Sequence, residues 1–225
     1  MNTVKFLTLG CKVNQYETQQ MRELFSAAGF VDAGESPRAD NYVINTCTVT
    51  SNADRKSRYL ISLCRRNNPK ARIIVTGCLA ELDGREIGNI KGVSKVIKNR
   101  HKHRILSLIG APKPLAKGQC VDGISGFFGH ARAFIKIQDG CDNRCAYCKV
   151  PLVRGSSKSR SIDSIIREAE RLSDGGFQEI ALCGICLGSY GRGLKPRKSL
   201  VEVIGALEEI PGLRRIRLSS IEAGD

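Results

Sequence analysis

"NYVINTCTVTSNADRKSRYLISLCRRNNPKARIIVTGC", residues 41–78, sets two short runs rich in β-branched residues on either side of one longer, helically spaced stretch. Asn41–Thr46 and Arg72–Gly77 read as strands. Ser51–Asn67 between them reads as a helix, with Tyr59, Leu60, Leu63 and Cys64 on one face. Two strands joined through a helix cannot form a hairpin; the connection is a crossover, and it predicts a parallel sheet with the helix lying on it. Each strand runs directly into a cysteine, Cys47 and Cys78.

The alternation continues outward from this stretch. Residues 3–9, TVKFLTL, are a strand expectation. Residues 16–30 are a helix expectation, with Met21, Leu24, Phe25 and Ala28 at helical spacing. A short strand over 95–99 and a closing helix over 102–110 complete a first α/β domain over 1–110. Residues 111–130 hold two prolines and four glycines without periodicity, which predicts a linker. A second α/β unit is expected over 131–225. It has strands at 131–138, 179–184 and 214–222, and helices at 161–176 and 199–210. The stripe of the first helix is Ile162, Ile165, Ile166, Ala169 and Leu172, and its stop signal is Gly175-Gly176. About three βα units fit there, too few to close a barrel. No repeat or low-complexity tract interrupts the chain.

The 225 residues carry 36 Lys and Arg against 22 acids, a formal charge of +14. That balance fits a polyanionic partner, most simply nucleic acid. Its densest positive stretches are residues 54–72 and 98–104. Aromatic residues make up 5% and tryptophan is absent, so a wide base-stacking platform is not expected. No apolar run approaches the roughly 18 residues of a membrane span. The opening MNTVKFLTLG lacks the layout of a signal peptide. A cytosolic protein without membrane attachment is therefore expected. In that reducing compartment ten cysteines point to metal or redox chemistry rather than a disulfide framework.

Three of the ten stand close together, in "QDGCDNRCAYCKVPLVRG" over 138–155. Cys141, Cys145 and Cys148 have the spacing Cys-x3-Cys-x2-Cys. A structural zinc site takes four closed ligands, and no histidine or fourth cysteine follows before Cys183. Three close thiolates suit an iron–sulfur cluster with one iron open to the amine and carboxylate of S-adenosylmethionine. The loop lies at the carboxyl end of a strand, where parallel α/β folds place their chemistry. The ring of Tyr147 could pack on a bound adenine or simply within the loop. Cys11, Cys47 and Cys78 also sit at strand carboxyl ends, in "TLGC", "VINTC" and "VTGC". Neighbouring parallel strands lie about 4.8 Å apart, so three cysteines distant in sequence can converge on a second cluster. Gly10 and Gly77 would let the backbone come close to it. Cys64 reads as core, Cys120 has no evident partner, and the spacing Cys183-x2-Cys186 invites a metal or redox reading.

Cys141-x3-Cys145-x-Tyr147-Cys148, with Pro151, Arg154-Gly155 and Ser159-Arg160 after it, resembles the cluster motif of the radical S-adenosylmethionine methylthiotransferases. "LGCKVNQYET", "INTCTVTSNADRKSR" and "VTGCLAE" are similar to the three signatures of that family's N-terminal domain. The resemblance implies a flavodoxin-like domain followed by an incomplete radical barrel. It implies an auxiliary [4Fe-4S] cluster on Cys11, Cys47 and Cys78 and a second [4Fe-4S] cluster on Cys141, Cys145 and Cys148. "CGICLGSYG" resembles the family's TGxxLGxYG segment, with Gly184, Gly188 and Gly191 matching and both cysteines departing from it, which implies that Cys183 and Cys186 are substitutions without a metal role rather than a third site. Tyr147, Arg154 and Gly184 are thereby expected at the cofactor, and Arg154 and Arg160 against a cofactor carboxylate or an RNA phosphate, or equally in ordinary surface salt bridges. Gly10–Glu17 is similar to the branch that methylthiolates C2 of threonylcarbamoyladenosine at position 37, in the tRNA anticodon loop. In that reading S-adenosylmethionine supplies a 5′-deoxyadenosyl radical, and an electron donor and a sulfur source are partners. The chain is expected to be a fragment or truncated product ending inside the radical barrel. A ribosomal-protein methylthiotransferase and a non-catalytic iron–sulfur RNA-binding protein stay open as alternatives.

Overall fold

The structure is a computed structural model that describes residues 2–111, 122–219 and 221. It divides into two compact units between residues 120 and 121. Cys120 lies outside the described residues.

In the first unit, β1 (Thr3–Thr8) leads to α1 (Lys12–Ala27), β2 (Val31–Asp32), β3 (Asn41–Thr46), α2 (Ser51–Asn67), β4 (Arg72–Gly77), α3 (Cys78–Leu82), α4 (Gly84–Gly88) and β5 (Val93–Ile97). A 3-10 helix over Asn99–Arg104 and the short α5 (Ile105–Leu108) close it. The five strands are all parallel, in the order β2-β1-β3-β4-β5. Successive residues of a strand face opposite sides of a sheet, and β3, buried along its whole length, shows the consequence. Val43 joins Phe6, Phe25, Ile74 and Ile105 on one side. Tyr42 and Ile44 join Ile61, Val75 and Leu79 on the other.

Several expected bounds shift. α1 begins at Lys12 rather than 16, because Cys11 in extended conformation starts the helix as its N-cap. Tyr59 does not share the buried face of α2. That face is Ser57, Ile61 and Cys64, and a residue two positions from either neighbour points away from it. Tyr59 is exposed, with the Arg66 guanidinium over its ring. The closing helix is broken into the 3-10 turn and α5.

The second unit holds β6 (Ala133–Lys136), β7 (Gln138–Asp139), α6 (Val150–Arg154), β8 (Lys158–Ser159), α7 (Ile162–Asp174), β9 (Glu179–Cys183), α8 (Leu200–Glu208) and β10 (Arg215–Leu218). β10, β9 and β6 form a parallel sheet in that order, and β7 pairs antiparallel with β8. Ser161 caps α7 by accepting from the Ser164 amide. α8 opens with a reciprocal capping box of Ser199 and Glu202. The buried face of α7 is Ser164, Ile165, Glu168, Ala169 and Leu172, so the expected stripe loses Ile162 and Ile166 and gains a carboxylate.

The expected linker does not extend through 122–130. Ile124 and Phe127 are buried, and the Phe127 ring packs 4.8 Å from that of Phe134 on β6. The Ile124 amide donates to Glu168 at 2.8 Å. Apolar burial thus recruits residues whose glycines suggest a loop. Among the described residues no helix is long and apolar enough to cross a membrane.

Candidate functional sites

The first trio lies at the carboxyl ends of β1, β3 and β4, which are adjacent in the sheet. Register aligns Thr8 with Asn45 and Thr46 with Gly77, so the three chains leave the sheet at one level. Cys11 follows β1 as the exposed N-cap of α1, Cys47 follows β3, and Cys78 is the first residue of α3. Cys47 and Cys78 are buried.

Two glycines make the arrangement possible. Gly10 has φ +97°, and a Cβ there would lie 2.9 Å from both Cβ and Sγ of Cys47. The turn carrying Cys11 therefore passes against Cys47. Gly77, at φ +100°, would place a Cβ 2.3 Å from the Thr46 carbonyl oxygen, which presses the start of α3 onto the end of β3. Only glycine tolerates that backbone and that approach. Ser57 donates to the Cys47 carbonyl at 3.2 Å, tying α2 to the same turn.

A polar row, buried at Asn45 and Thr76, lies beneath these turns. Thr8, Asn45 and Thr76 align across β1, β3 and β4. The Asn45 amide nitrogen donates to the Asn14 carbonyl at 2.8 Å and to Thr18 at 3.1 Å. Its oxygen accepts from Lys102 at 2.9 Å, and the same ammonium pairs with Glu17. Lys102 and Glu17 are both buried. Within the basic run 98–104, Lys102 turns inward to Glu17 and Lys98 pairs with Glu81. In the other basic stretch, Arg58 pairs with Glu86 and Asp83.

Among the described residues, no group of three or more His, Cys, Asp or Glu side chains is gathered to hold a metal ion. A cubane presents a separate iron to each thiolate, so its ligands surround a volume rather than meet at a point. Its fit is judged on the cradle. The glycine-pinched turns leave no side chain between Gly10 and Cys47. The hydroxyls of Thr48, beside Cys47, and Thr76, two residues before Cys78, are buried without a hydrogen-bond partner. Sulfide on the neighbouring cysteines would offer such hydroxyls an acceptor. These residues fit the group.

In the second unit Cys141, Cys145 and Cys148 occupy the loop between β7 and α6, beyond the carboxyl end of β6. Cys145 is exposed and the other two are half-buried. The Cys141 amide donates to the Gly155 carbonyl at 3.0 Å, and that of Cys148 to the Cys145 carbonyl at 3.0 Å. The Cys141 sulfur accepts the Asn143 amide at 3.4 Å. Gly140, at φ +73°, lies so close to the Ser156 carbonyl that a Cβ would be 2.1 Å from its oxygen.

Gln138 holds this loop, and the sequence reading misses it. Its side chain is fully buried. The amide nitrogen donates to the Gly140 carbonyl at 2.6 Å and to Ser157 at 2.9 Å. The oxygen accepts from the Ile185 and Cys186 amides at 2.8 and 3.0 Å. One carboxamide thus joins the cysteine loop to the turn after β9. Gly184 permits this approach, since a Cβ there would lie 2.9 Å from the Gln138 oxygen. The available signal is a polar residue ending the apolar strand AFIKIQ directly before the cysteines.

Tyr147 is 89% exposed, so the ring does not pack into its own loop. Arg154 and Arg160 both form ion pairs within the second unit. Arg154, with its side chain 2% exposed, forms a two-bond ion pair with Asp139 at 2.9 and 3.1 Å, bracing the loop from within. Arg160 pairs with the fully buried Glu168 and donates to Ser164 and to the Lys136 carbonyl. Cys183 and Cys186 are both buried. Burial pushes the Cys64 thiol up to about 12, which suits its place in the core.

Comparison with known proteins adds to this geometry. Residues 3–98 match the uncharacterized protein family UPF0004. Threonylcarbamoyladenosine tRNA methylthiotransferase MtaB of Bacillus subtilis is 40% identical, covering 99% of this chain and 52% of that protein. Its namesake in Chlamydia pneumoniae is 38% identical over the same shares, 99% and 52%. The tRNA-2-methylthio-N(6)-dimethylallyladenosine synthase of Thermodesulfovibrio yellowstonii is 30% identical, covering 93% of the chain and 51% of that protein. The chain spans about half the length of the curated relatives it matches. Among solved structures, the radical S-adenosylmethionine methyltransferase TsrM from Kitasatospora setae, with cobalamin and a [4Fe-4S] cluster bound, aligns with a TM-score of 0.51. Identity there is 13%, over 82% of this chain and 49% of that one, a likeness of fold alone. The chain is thus similar to methylthiotransferases over about half the length of each.

Proposed function

We propose that the protein is a radical S-adenosylmethionine enzyme of tRNA modification, placing a methylthio group on C2 of threonylcarbamoyladenosine at position 37 of the anticodon loop. The observation that carries this is the pair of cysteine trios, the first at the carboxyl ends of three parallel strands and the second in the loop that follows β6 and β7, in a chain similar to these methylthiotransferases. The order β2-β1-β3-β4-β5 is that of flavodoxin-like sheets, which bind ligands at the β1/β3 switch point. It supports a flavodoxin-like domain over 1–110 with Cys11, Cys47 and Cys78 as auxiliary ligands. The parallel β10-β9-β6 sheet supports a partial radical barrel within 131–225, with Cys141, Cys145 and Cys148 as ligands.

When bound, two [4Fe-4S] clusters and S-adenosylmethionine would supply the electron, the radical and the sulfur that functionalising an unactivated C–H bond requires. The chain's own part is to hold and orient. Gln138 and the Asp139–Arg154 pair keep the second cysteine loop in place. Tyr147 offers an exposed ring to an adenine, and Gly184 keeps the turn after β9 close to Gln138. The surplus of Lys and Arg positions RNA through its phosphates. A cytoplasmic setting, an electron donor and a sulfur source complete the proposal.

Anaerobic reconstitution tests the cofactor reading: about eight irons and eight sulfides per chain are expected, and about half after all three cysteines of either trio become alanine. Nucleoside analysis of tRNA from a strain deleted for the gene tests the substrate. Loss of the 2-methylthio form of threonylcarbamoyladenosine is expected, and its persistence at the parental level would refute the assignment.

A further inference from the structure

Asn14 lies in the first turn of α1 and is almost fully buried. Its side-chain nitrogen donates to the Leu9 carbonyl at 2.7 Å and to the Thr46 carbonyl at 3.0 Å. Leu9 leads into Gly10-Cys11, and Thr46 leads into Cys47. Two N–H bonds of one carboxamide therefore fix the two turns that deliver the first two cysteines. The contact is reciprocated, because the Asn14 backbone carbonyl accepts from Asn45 on β3 at 2.8 Å. Gly10 is part of the same packing, since a Cβ there would also lie 3.3 Å from the Asn14 nitrogen.

Helix stability does not account for this residue. Asparagine is a poor helix former, and here both amide donors leave the helix for carbonyls at the ends of the β1 and β3 strands. The chain instead accepts a weak helix residue where a planar, two-donor group of this reach can span adjacent strand ends. We propose that Asn14 is a positioning residue for the auxiliary centre: it sets the spacing of Cys11 from Cys47 before any metal arrives, and so governs how firmly iron and sulfide are held there. The proposal rests on the reading of Cys11, Cys47 and Cys78 as ligands.

The test uses the 225-residue chain with Cys141, Cys145 and Cys148 replaced by alanine, so that bound iron reports on the first trio alone. After anaerobic loading with ferrous iron and sulfide, iron and sulfide are counted, and iron loss to a chelator is timed. In that background Asn14→Asp puts an oxygen where the donors were, facing two carbonyls. Asn14→Ser removes both donors without adding charge. Ile61→Ala, on the opposite face of the sheet, lowers stability without touching either turn. Loss of iron at least tenfold faster is expected for both Asn14 variants, with a changed electron paramagnetic resonance signal of the reduced centre. Ile61→Ala should keep the parental loss rate well below its melting temperature. Retention at the parental rate in both Asn14 variants overturns the inference, as does equally fast loss in Ile61→Ala. No iron bound with Asn14 intact would instead sink the ligand assignment, and that outcome is visible before Asn14 is changed.

Discussion

Replacing Gln138 with leucine should loosen the second cysteine loop while leaving the first unit untouched. The substitution keeps most of the side-chain volume but removes a carboxamide that donates to Gly140 and Ser157 and accepts from Ile185 and Cys186. Ser157 can turn its hydroxyl elsewhere. The Gly140 carbonyl and the two amides are left facing an apolar group. Each unsatisfied buried group costs about 1–3 kcal/mol. The loops can shift and admit water, so the lower bound applies to each of the three, for a total of about 3 kcal/mol. That corresponds to about a 100-fold change in an opening equilibrium. Hydrogen exchange reads it directly at amides that Gln138 does not itself bond. Suitable reporters are Ile137, which donates to the Cys183 carbonyl, and Cys141, which donates to Gly155. About 100-fold faster exchange at both, with β3 and β4 unchanged, is expected. Exchange within threefold of the parent would show that the buried amide does not hold the loop. An equal acceleration in the first unit would show that the effect is not local.

Three further outcomes follow from the geometry. Gly77→Ala forces a non-glycine residue to φ +100° against the Thr46 backbone, at a cost of about 3 kcal/mol; calorimetry should show the first unit melting about 10 °C lower or more, and an unchanged transition would refute it. Glu168→Ala leaves the Arg160 guanidinium without its buried carboxylate, costing about 3–5 kcal/mol in urea unfolding. Glu168→Gln, which can still accept from the Ile124 amide, should cost less but still measurably, and a Glu168→Gln variant as stable as the parent would count against the ion pair. Burial raises the Cys64 thiol to about 12, so it stays neutral below that pH; at pH 9 iodoacetamide should label the exposed Cys145 and spare Cys64, and equal labelling by mass spectrometry would contradict the burial.

Residues 41–77 were legible because every local signal there agrees. β3, α2 and β4 have the bounds that the apolar spacing predicts, and Thr50 caps α2 where the turn residues cluster. The cysteines at strand ends were legible for the same reason. What escaped were polar residues whose partners lie far along the chain. Lys102 sits in a basic run, yet its ammonium reaches Glu17, 85 positions away. Arg154 and Arg160 look like surface cations in sequence, and each finds a carboxylate on the second unit's own framework. Periodicity carries no information about such pairs, since any polar residue near a strand end satisfies the same local pattern. Tyr59 escaped for a different reason: an aromatic next to Leu60 and Ile61 reads as core, and only the packing of Ile61 and Cys64 shows which side of α2 is buried.

Asn14 and Gln138 solve one problem in the two units. Each unit needs turns at the ends of parallel strands that bend sharply enough to bring cysteines forward, and each uses glycines at positive φ to do it: Gly10 and Gly77 in one, Gly140 in the other. Glycine supplies the bend but also leaves the unfolded chain many alternatives. A buried carboxamide removes that freedom by holding two turns at once. A charged side chain in the same place would carry a desolvation cost, and a hydroxyl offers only one donor. Asparagine and glutamine are neutral and offer two. The difference between them is one methylene: Asn14 acts from a helix packed against the strand ends, whereas Gln138 acts from within the strand and reaches across to the next loop. On the proposed reading of the cysteines as ligands, substitution of either amide should weaken loading more than it weakens folding.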